Sequence, residues 1–235
     1  MRRSWIRVSA TFLLALSAVL PMAARAADDE LVDRVVRLLG DSDREFRAAG
    51  LDRVRTSARG EAHTKTFAAQ LPKLDPSAQA ALVIALADRG DSAARPAIVE
   101  LLAASQDEQV RSAALAALGE IGSTDDLPTL VKALSASSSA ERQSARTALV
   151  RMRGDSVVKA LAADAQTAAP ATKTTLIEVL ATRRAADAMP LFLASSMDDD
   201  GQVRRAAMNA LGQLAGADQI GAMIPAVLKA EKGFE

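Results

Sequence analysis

The 235-residue chain contains no cysteine and no tyrosine, and it has one tryptophan, one histidine and five phenylalanines. The absence of cysteine excludes disulfides, so the fold depends on packing alone. A single histidine without cysteine excludes the usual ligand sets of a transition-metal site. The shortage of aromatic rings leaves few platforms for stacking bases and few cages for cations. These absences point away from redox, metal-dependent and base-stacking functions.

The first 26 residues have the composition of a secretory signal peptide. Three arginines precede an apolar run from Val8 to Leu20, Pro21 follows, and Ala24-Arg25-Ala26 forms a small-x-small cleavage site. The run is too short to span a bilayer. The sequence therefore predicts cleavage after Ala26, a periplasmic or secreted location in a bacterium, and no membrane span after cleavage. Arg2-Arg3-Ser4-Trp5-Ile6-Arg7 is also similar to the twin-arginine export signal, so the export route stays open.

Removal of this segment takes away four arginines and no acidic residue. The mature chain then has 25 basic and 29 acidic side chains, a net charge of −4. A nucleic-acid-binding protein normally carries a clustered positive surface, and the sequence contains no such cluster. We therefore expect no nucleic-acid partner.

A repeat with a period of about thirty residues runs through the mature chain. One aliphatic residue recurs in the same frame of an alanine-rich helical segment, at intervals of 32, 32, 31, 31 and 31 residues: Val54, Leu86, Leu118, Leu149, Leu180 and Leu211. We call these six residues the anchors and number other positions from them. Positions −8, −5, −4 and −1 before Leu118 and Leu211 are also apolar, which places them on one stripe of a helix.

An amphipathic segment precedes each of these helices, and a short polar turn joins the two. The predicted first helices are Leu31–Leu39, Lys65–Leu71, Arg95–Ala103, Leu127–Leu134, Val158–Asp164 and Met189–Ser195. The sequence therefore predicts an all-α solenoid of six antiparallel helix pairs, over residues 27–60, 61–90, 91–122, 123–154, 155–186 and 187–216. A half-unit at 217–235 is predicted either to cap the stack or to form a docking edge.

Two stretches resemble a known repeat family. Val110–Gly119 reads VRSAALAALG and Val203–Gly212 reads VRRAAMNALG. Both are similar to HEAT repeats, and most similar to the short bacterial subtype named after phycobilisome lyases. The resemblance implies a right-handed, armadillo-like superhelix whose second helices line the concave face. Members of this group are scaffolds, regulators, lyase-related proteins and metal-dependent hydroxylases, so the resemblance specifies a fold and no chemistry.

Basic residues recur at position −7, and most units carry an acidic residue four positions earlier. The −7 column is Arg47, Gln79, Arg111, Arg142, Lys173 and Arg204, and the acids are Asp43, Asp75, Asp107 and Asp200. An acid four residues before a base favours an ion pair near a helix start, and such pairs can link successive repeats. We interpret the column as a structural ladder, which HEAT-like families are known to use. The alternative is a basic stripe that binds an anionic partner.

Three short motifs have both a structural and a functional interpretation. Asp198-Asp199-Asp200-Gly201 lacks the distal glutamate of a calcium loop and is typical of a capping turn. Arg89-Gly90-Asp91-Ser92 and Arg153-Gly154-Asp155-Ser156 spell a cell-adhesion tetrapeptide, but each lies at a junction where glycine ends one helix and Asp or Ser caps the next. His63 lies in a polar turn without the context of a serine nucleophile.

The sequence contains no catalytic constellation and no cofactor motif, so we expect a non-catalytic protein without a cofactor. The remaining signal is a strip of mostly small residues at positions −6, −2 and +1 of the second and third units: Ala80, Ile84, Ala87, Ser112, Ala116 and Gly119. We expect these residues to receive a peptide or helix of another protein. The alternative is that alanine stands there because it favours helix.

Two further hypotheses stay open. The first is a structural protein that self-associates through the ends of the solenoid. The second is an accessory protein related to HEAT-type cofactor lyases. The sequence leaves the partner and the oligomeric state undetermined.

Overall fold

The computed structural model describes residues 29–229, and the predicted signal peptide lies outside this range. Thirteen α-helices and no strands follow one another along the described residues. They are α1 (29–39), α2 (Arg44–Thr56), α3 (Glu61–Ala68), α4 (Pro76–Arg89), α5 (Arg95–Ala104), α6 (Glu108–Ile121), α7 (Leu127–Ala133), α8 (Ser139–Arg151), α9 (Asp155–Thr167), α10 (Pro170–Thr182), α11 (Met189–Ser195), α12 (Gly201–Leu214) and α13 (Ala217–Lys229).

Consecutive helices form six units, α1 with α2 through α11 with α12, and α13 follows them. The second helices stack on one another in chain order, α2 on α4, α4 on α6, α6 on α8, α8 on α10 and α10 on α12. Short 3-10 turns at Ser92–Ala94, Thr124–Asp126 and Ala186–Ala188 lead into α5, α7 and α11. The predicted all-α solenoid of helix pairs is confirmed.

Local side chains explain where the helices begin and end. Asp75 precedes α4 and its Oδ1 accepts the N–H of Ala78 at 3.0 Å, while Pro76 occupies a position where no N–H partner is needed. Gly90 ends α4 at φ +73°, in the left-handed region that favours glycine. Arg184 takes the same region at the end of α10, with φ +54°.

The anchors form the axis of the core. All six are 0% exposed, and they belong to one continuous cluster of buried residues that extends from Val32 to Leu211. Small buried residues such as Ala114, Ala117 and Ala207 stand beside them. Burial of one leucine side chain contributes about 1.5–3 kcal/mol, so each anchor contributes on this order to the packing between helices. The frame inferred from the repeat is therefore the frame of the core.

Candidate interaction surface

Two rows of side chains remain accessible along the stacked second helices. On each of these helices, position −2 and position +2 lie on the same side because residues i and i+4 share a helix face. The rows are Asp52, Ile84, Ala116, Thr147, Glu178, Asn209 and Thr56, Asp88, Glu120, Arg151, Thr182, Gln213, and every member is exposed or half-buried. We call these two rows the second-helix strip.

The apolar part of the second-helix strip lies on α4 and α6. Ile84 is 47% exposed, although its side chain is the largest apolar one in either row. Ala116, at the same position one unit later, is half-buried, and so is Ala87. These three residues offer a small apolar surface on the second and third units.

Other residues of the predicted strip do not face solvent. Ala80 is 1% exposed and Gly119 is buried, so the prediction that they line a groove is wrong. Ser112 is half-buried, but its Oγ is buried without a hydrogen-bond partner in the described part of the chain. At 3.6 residues per turn, positions −6 and +1 are rotated by about 40° and about 60° from position −2 towards one side.

Gly119 shows what lies on that side. A Cβ built on this glycine would be 2.6 Å from the Cα of Ala148, so α6 and α8 approach with their backbones almost in contact. Position +1 of α6 therefore packs against the next second helix. The sequence identified the helix that carries the surface, but not this rotation.

Ion pairs between neighbouring units flank the apolar residues. Arg55 Nε lies 2.7 Å from Asp88 Oδ2, and Arg151 Nη1 lies 3.0 Å from Glu120 Oε1. Asp88 and Glu120 stand one turn after Ile84 and Ala116 on the same faces. The charges beside the apolar patch are therefore neutralised within the chain. Sequence analysis missed these pairs, although opposite charges about one repeat period apart are their signal.

The predicted ladder exists, with different partners. Asp43, Asp75, Asp107 and Asp200 are helix N-caps whose carboxylates accept backbone N–H groups at 2.7–3.1 Å. The basic residues turn back onto the turn before the helix: the Nη1 groups of Arg47, Arg142 and Arg204 each donate to two of its carbonyls. The column thus fastens each turn to its second helix, which corrects the predicted pairing of Asp107 with Arg111.

Two members of the column do link successive units. Arg111 donates from Nε and Nη2 to the two carboxylate oxygens of the buried Glu141, both at 2.9 Å. Lys173 Nζ lies 2.6 Å from Asp198 Oδ2. These bonds raise the pKa of Arg111 and lower the pKa of the Asp198 carboxyl. Glu141 replaces the valine found at position −8 in units three and six, and Arg111 compensates its burial.

The first adhesion-like tetrapeptide is part of a joint between units. Arg89 is 6% exposed and lies over the ring of Phe67. Its guanidinium donates to the carbonyls of Val54 and Ser57 and to Thr64 Oγ1, each at 2.7 Å. Burial lowers its pKa. Arg89 therefore binds the end of α2 to α3 and α4 and is not displayed to a receptor, whereas Arg153 in the second tetrapeptide is exposed.

The remaining motifs have local structural partners. Asp200 Oδ1 accepts the N–H groups of Gln202 and Val203 at 2.8 and 3.1 Å, which makes the acidic run a helix cap. His63 is half-buried, with Nδ1 3.3 Å from the carbonyl of Arg59 and Nε2 3.7 Å from Asp29 Oδ1. Residues 29–229 contain no group of three His, Cys, Asp or Glu side chains arranged to hold a metal ion.

Comparison with known families supports this architecture. A model of HEAT repeats matches residues 64–150, and a second HEAT-repeat model matches residues 188–216. The chain is a HEAT-like repeat protein. Such repeats are used widely as scaffolds that bind other proteins. Neither matched range of this HEAT-like protein includes α9 or α10.

Two solved structures that match this HEAT-like protein have low sequence identity to it. The crystal structure of an engineered protein is 19% identical, covers 78% of this chain and 96% of its own, and has a TM-score of 0.45. Human deoxyhypusine hydroxylase in complex with glycerol is 19% identical, with coverages of 91% and 95% and a TM-score of 0.40. A search of the curated proteins returns no match. No helix among the described residues is long and apolar enough to cross a membrane.

Proposed function

We propose that this HEAT-like protein is a non-catalytic adaptor, exported from the cytoplasm, that binds a peptide or helix of a partner protein on the second-helix strip at α4 and α6. The observation that carries the proposal is the 47% exposure of Ile84 on a helix whose other large apolar residues are buried. An exposed apolar side chain such as Ile84 suits a helix or peptide that has an apolar face of its own.

The electrostatics of the second-helix strip support the same proposal. Arg55 with Asp88, and Arg151 with Glu120, satisfy each other across neighbouring units. A partner at Ile84 therefore meets Asp88 and Glu120 already paired and gains most from apolar burial. Binding of this kind is expected to depend weakly on salt, in contrast to binding through a basic stripe.

The decisive experiment places a photo-crosslinking amino acid at position 84 or position 103 of residues 27–235 and exposes the protein to the native envelope fraction. Ala103 is an exposed residue on a first helix, so it controls for nonspecific capture. We expect one protein to crosslink from position 84 and not from position 103.

A second experiment uses affinity capture with substituted chains. The double substitution Ile84→Glu with Ala116→Glu should abolish capture of the partner by an affinity-tagged chain. The control double substitution Ala103→Glu with Ala163→Glu, at two exposed positions on first helices, should not. Capture that survives the first double variant with its helix content intact would place the partner elsewhere.

The export part of the proposal rests on the composition of residues 1–26. The amino terminus of the protein from its native host should be Ala27 by N-terminal sequencing. An unprocessed terminus at Met1 would contradict it.

Self-association is the second candidate, and one observation favours it. Ile220 and Ile224 stand one turn apart on α13, and both are more than half exposed. If this face joins copies of the chain, light scattering shows oligomers whose size rises with concentration, and Ile220→Glu with Ile224→Glu returns them to monomers. A monomer at all concentrations would leave the adaptor as the remaining proposal.

A further inference from the structure

The joints between successive units differ in how closely their second helices approach. The joint between units three and four is tight, because α6 and α8 almost touch at Gly119 and Ala148. Helices α4 and α6, and α10 and α12, also pack along much of their length. Helices α8 and α10 approach each other at far fewer points. The joint between units four and five is thus the most open among the described second helices.

The bonds across the tight joint are buried and doubled. The carboxylate of Asp126 accepts from Nε and Nη2 of Arg95, at 2.7 and 2.9 Å, and that of Glu141 accepts two bonds from Arg111. Both carboxylates belong to unit four, and both arginines belong to unit three. Separation of these units would leave the buried carboxylates of Asp126 and Glu141 without their counter-charges, which is strongly unfavourable.

The ion pair across the open joint is more accessible to water. Arg146 Nη2 lies 2.9 Å from Glu178 Oε2, with side chains 41% and 40% exposed. Solvent competes with an ion pair of this exposure, so the pair stabilises the joint little. Arg183 ties the two units at one point: its Nη1 donates to the carbonyls of Leu149 and Val150, at 2.7 and 2.8 Å, and burial lowers its pKa, as it does for Arg89 at the same position of unit two.

Packing at the open joint is also incomplete. A solvent-open groove of about 410 Å³ lies between the end of α8 at Val150, the start of α9 at Gly154, and the segment Arg183–Asp187. Thr174 Oγ1 and Arg183 Nε are buried and have no hydrogen-bond partner among the described residues. Both belong to unit five. The groove leaves this side of the joint without packed side chains, whereas unpartnered buried atoms do not distinguish the joints, because Ser112 Oγ on α6 is another.

We propose that the joint between units four and five is a hinge, about which α9–α12 move as a body relative to α1–α8. Movement about the tether at Arg183 breaks the exposed Arg146–Glu178 pair and the exposed bond between Ser135 Oγ and Thr172 Oγ1, whereas movement at the preceding joint breaks two clamps on buried carboxylates. The apolar part of the second-helix strip lies on α4 and α6, entirely on one side of the hinge. The hinge therefore changes the direction of units five and six relative to that surface, whatever binds there.

The repeat register shows how to close the hinge. In the tight joint, Arg111 at position −7 holds Glu141 at position −8 of the next unit. One unit later, Arg142 stands at position −7 and Thr172 at position −8. Arg142 donates from Nη1 to the turn carbonyls just as Arg111 does, and Arg111 uses its Nε and Nη2 for the carboxylate. The change Thr172→Glu is expected to supply Arg142 with the same partner.

The test measures distances between spin labels on pairs of introduced cysteines, since the chain has no cysteine of its own. Lys132→Cys with Ala194→Cys spans the hinge, and Thr66→Cys with Lys132→Cys spans a similar stretch of chain on one side of it. All three sites are exposed on first helices. We expect the distance distribution across the hinge to be at least about twofold wider than the control distribution. Equal widths would overturn the proposal.

The second part of the test introduces the bond between Arg142 and a glutamate at position 172, which we call the clamp. Thr172→Glu should narrow the distance distribution across the hinge to the control width. Thr172→Gln introduces a side chain of the same shape as glutamate without its charge, and it should leave the distribution wide. Circular dichroism verifies that each variant keeps its helix content. Narrowing by Thr172→Gln as well as Thr172→Glu would contradict the clamp. The comparison of the two label pairs in the chain with Thr172 retained involves no change at the hinge, so misfolding of a variant cannot decide the result.

Discussion

Arg89 and Arg153 begin the same four-residue motif, yet their surroundings differ. Arg89 is buried and donates to the carbonyls of Val54 and Ser57, whereas Arg153 is exposed. We expect Arg89→Met to lower the free energy of unfolding by about 2–4 kcal/mol, because the carbonyls lose their buried donors while the apolar stem is kept. Arg153→Met should change it by less than about 0.5 kcal/mol. Urea unfolding followed by circular dichroism compares the two, and equal effects would contradict the role assigned to Arg89.

The Lys173–Asp198 ion pair makes a pH-dependent contribution to the free energy of unfolding. The hydrogen bond from Lys173 lowers the pKa of Asp198 in the folded chain. A lowered pKa stabilises the fold above the unfolded value of about 3.9, and the contribution disappears as pH falls through the folded value. Asp198→Asn keeps an oxygen for the N–H of Asp200 but loses the charge. Its destabilisation relative to the parent should be full at about pH 7 and should shrink steadily as pH falls below about 3.9. A difference that is the same at neutral and acid pH would contradict this account.

At the scale of the helix, position +1 offers a matched pair of glycines. A Cβ at Gly119 meets the backbone of Ala148 at 2.6 Å, while a Cβ at Gly212 has open space around it. Gly119→Ala should therefore force α6 and α8 apart and cost about 1–3 kcal/mol. Gly212→Ala should stabilise α12 by up to about 1 kcal/mol, because alanine favours helix. Thermal unfolding of the two variants tests both signs, and destabilisation by both would show that the contact with Ala148 is not the cause.

The elements show what the sequence can and cannot specify. The predicted α11, Met189–Ser195, matches the structure because a polar turn and Pro190 define its start. The prediction Lys65–Leu71 misplaced α3, which is Glu61–Ala68, because Leu71 belongs to a separate 3-10 turn that also buries an apolar side chain. Hydrophobic spacing alone does not separate these two cases.

The accessible residues of the second-helix strip were also predicted only in part, because hydrophobic spacing does not show how closely neighbouring helices approach. The period identified Ile84 and Ala116 as accessible, since position −2 points away from the stack. Ala80 and Gly119 are covered because neighbouring helices approach closely, and that distance depends on the residues of both helices together. Glu141 is a second example. Alone in the sequence it interrupts the apolar core pattern, but its buried carboxylate is paired with Arg111 of the previous unit, which only the structure shows.

At the scale of the whole molecule, the linear order of units determines how damage spreads. In a solenoid each unit contacts its neighbours alone, so stability is a sum of local terms. The anchors Leu118 and Leu211 are equally buried, but Leu118 lies in unit three and Leu211 in unit six. Leu118→Ala should cost about 2–5 kcal/mol and weaken the units on both sides. Leu211→Ala removes the same atoms from a unit with α10 on one side and α13 on the other.

Hydrogen exchange resolves the difference, because protection is measured helix by helix. Leu211→Ala should increase exchange in α11, α12 and α13 and leave α4 and α6 as protected as in the parent. Leu118→Ala should increase exchange in α4, α6 and α8, with the effect on α12 reduced further by the hinge between units four and five. Uniform loss of protection in every helix for both variants would mean that the chain unfolds as one cooperative body, and the nearest-neighbour picture would then be wrong.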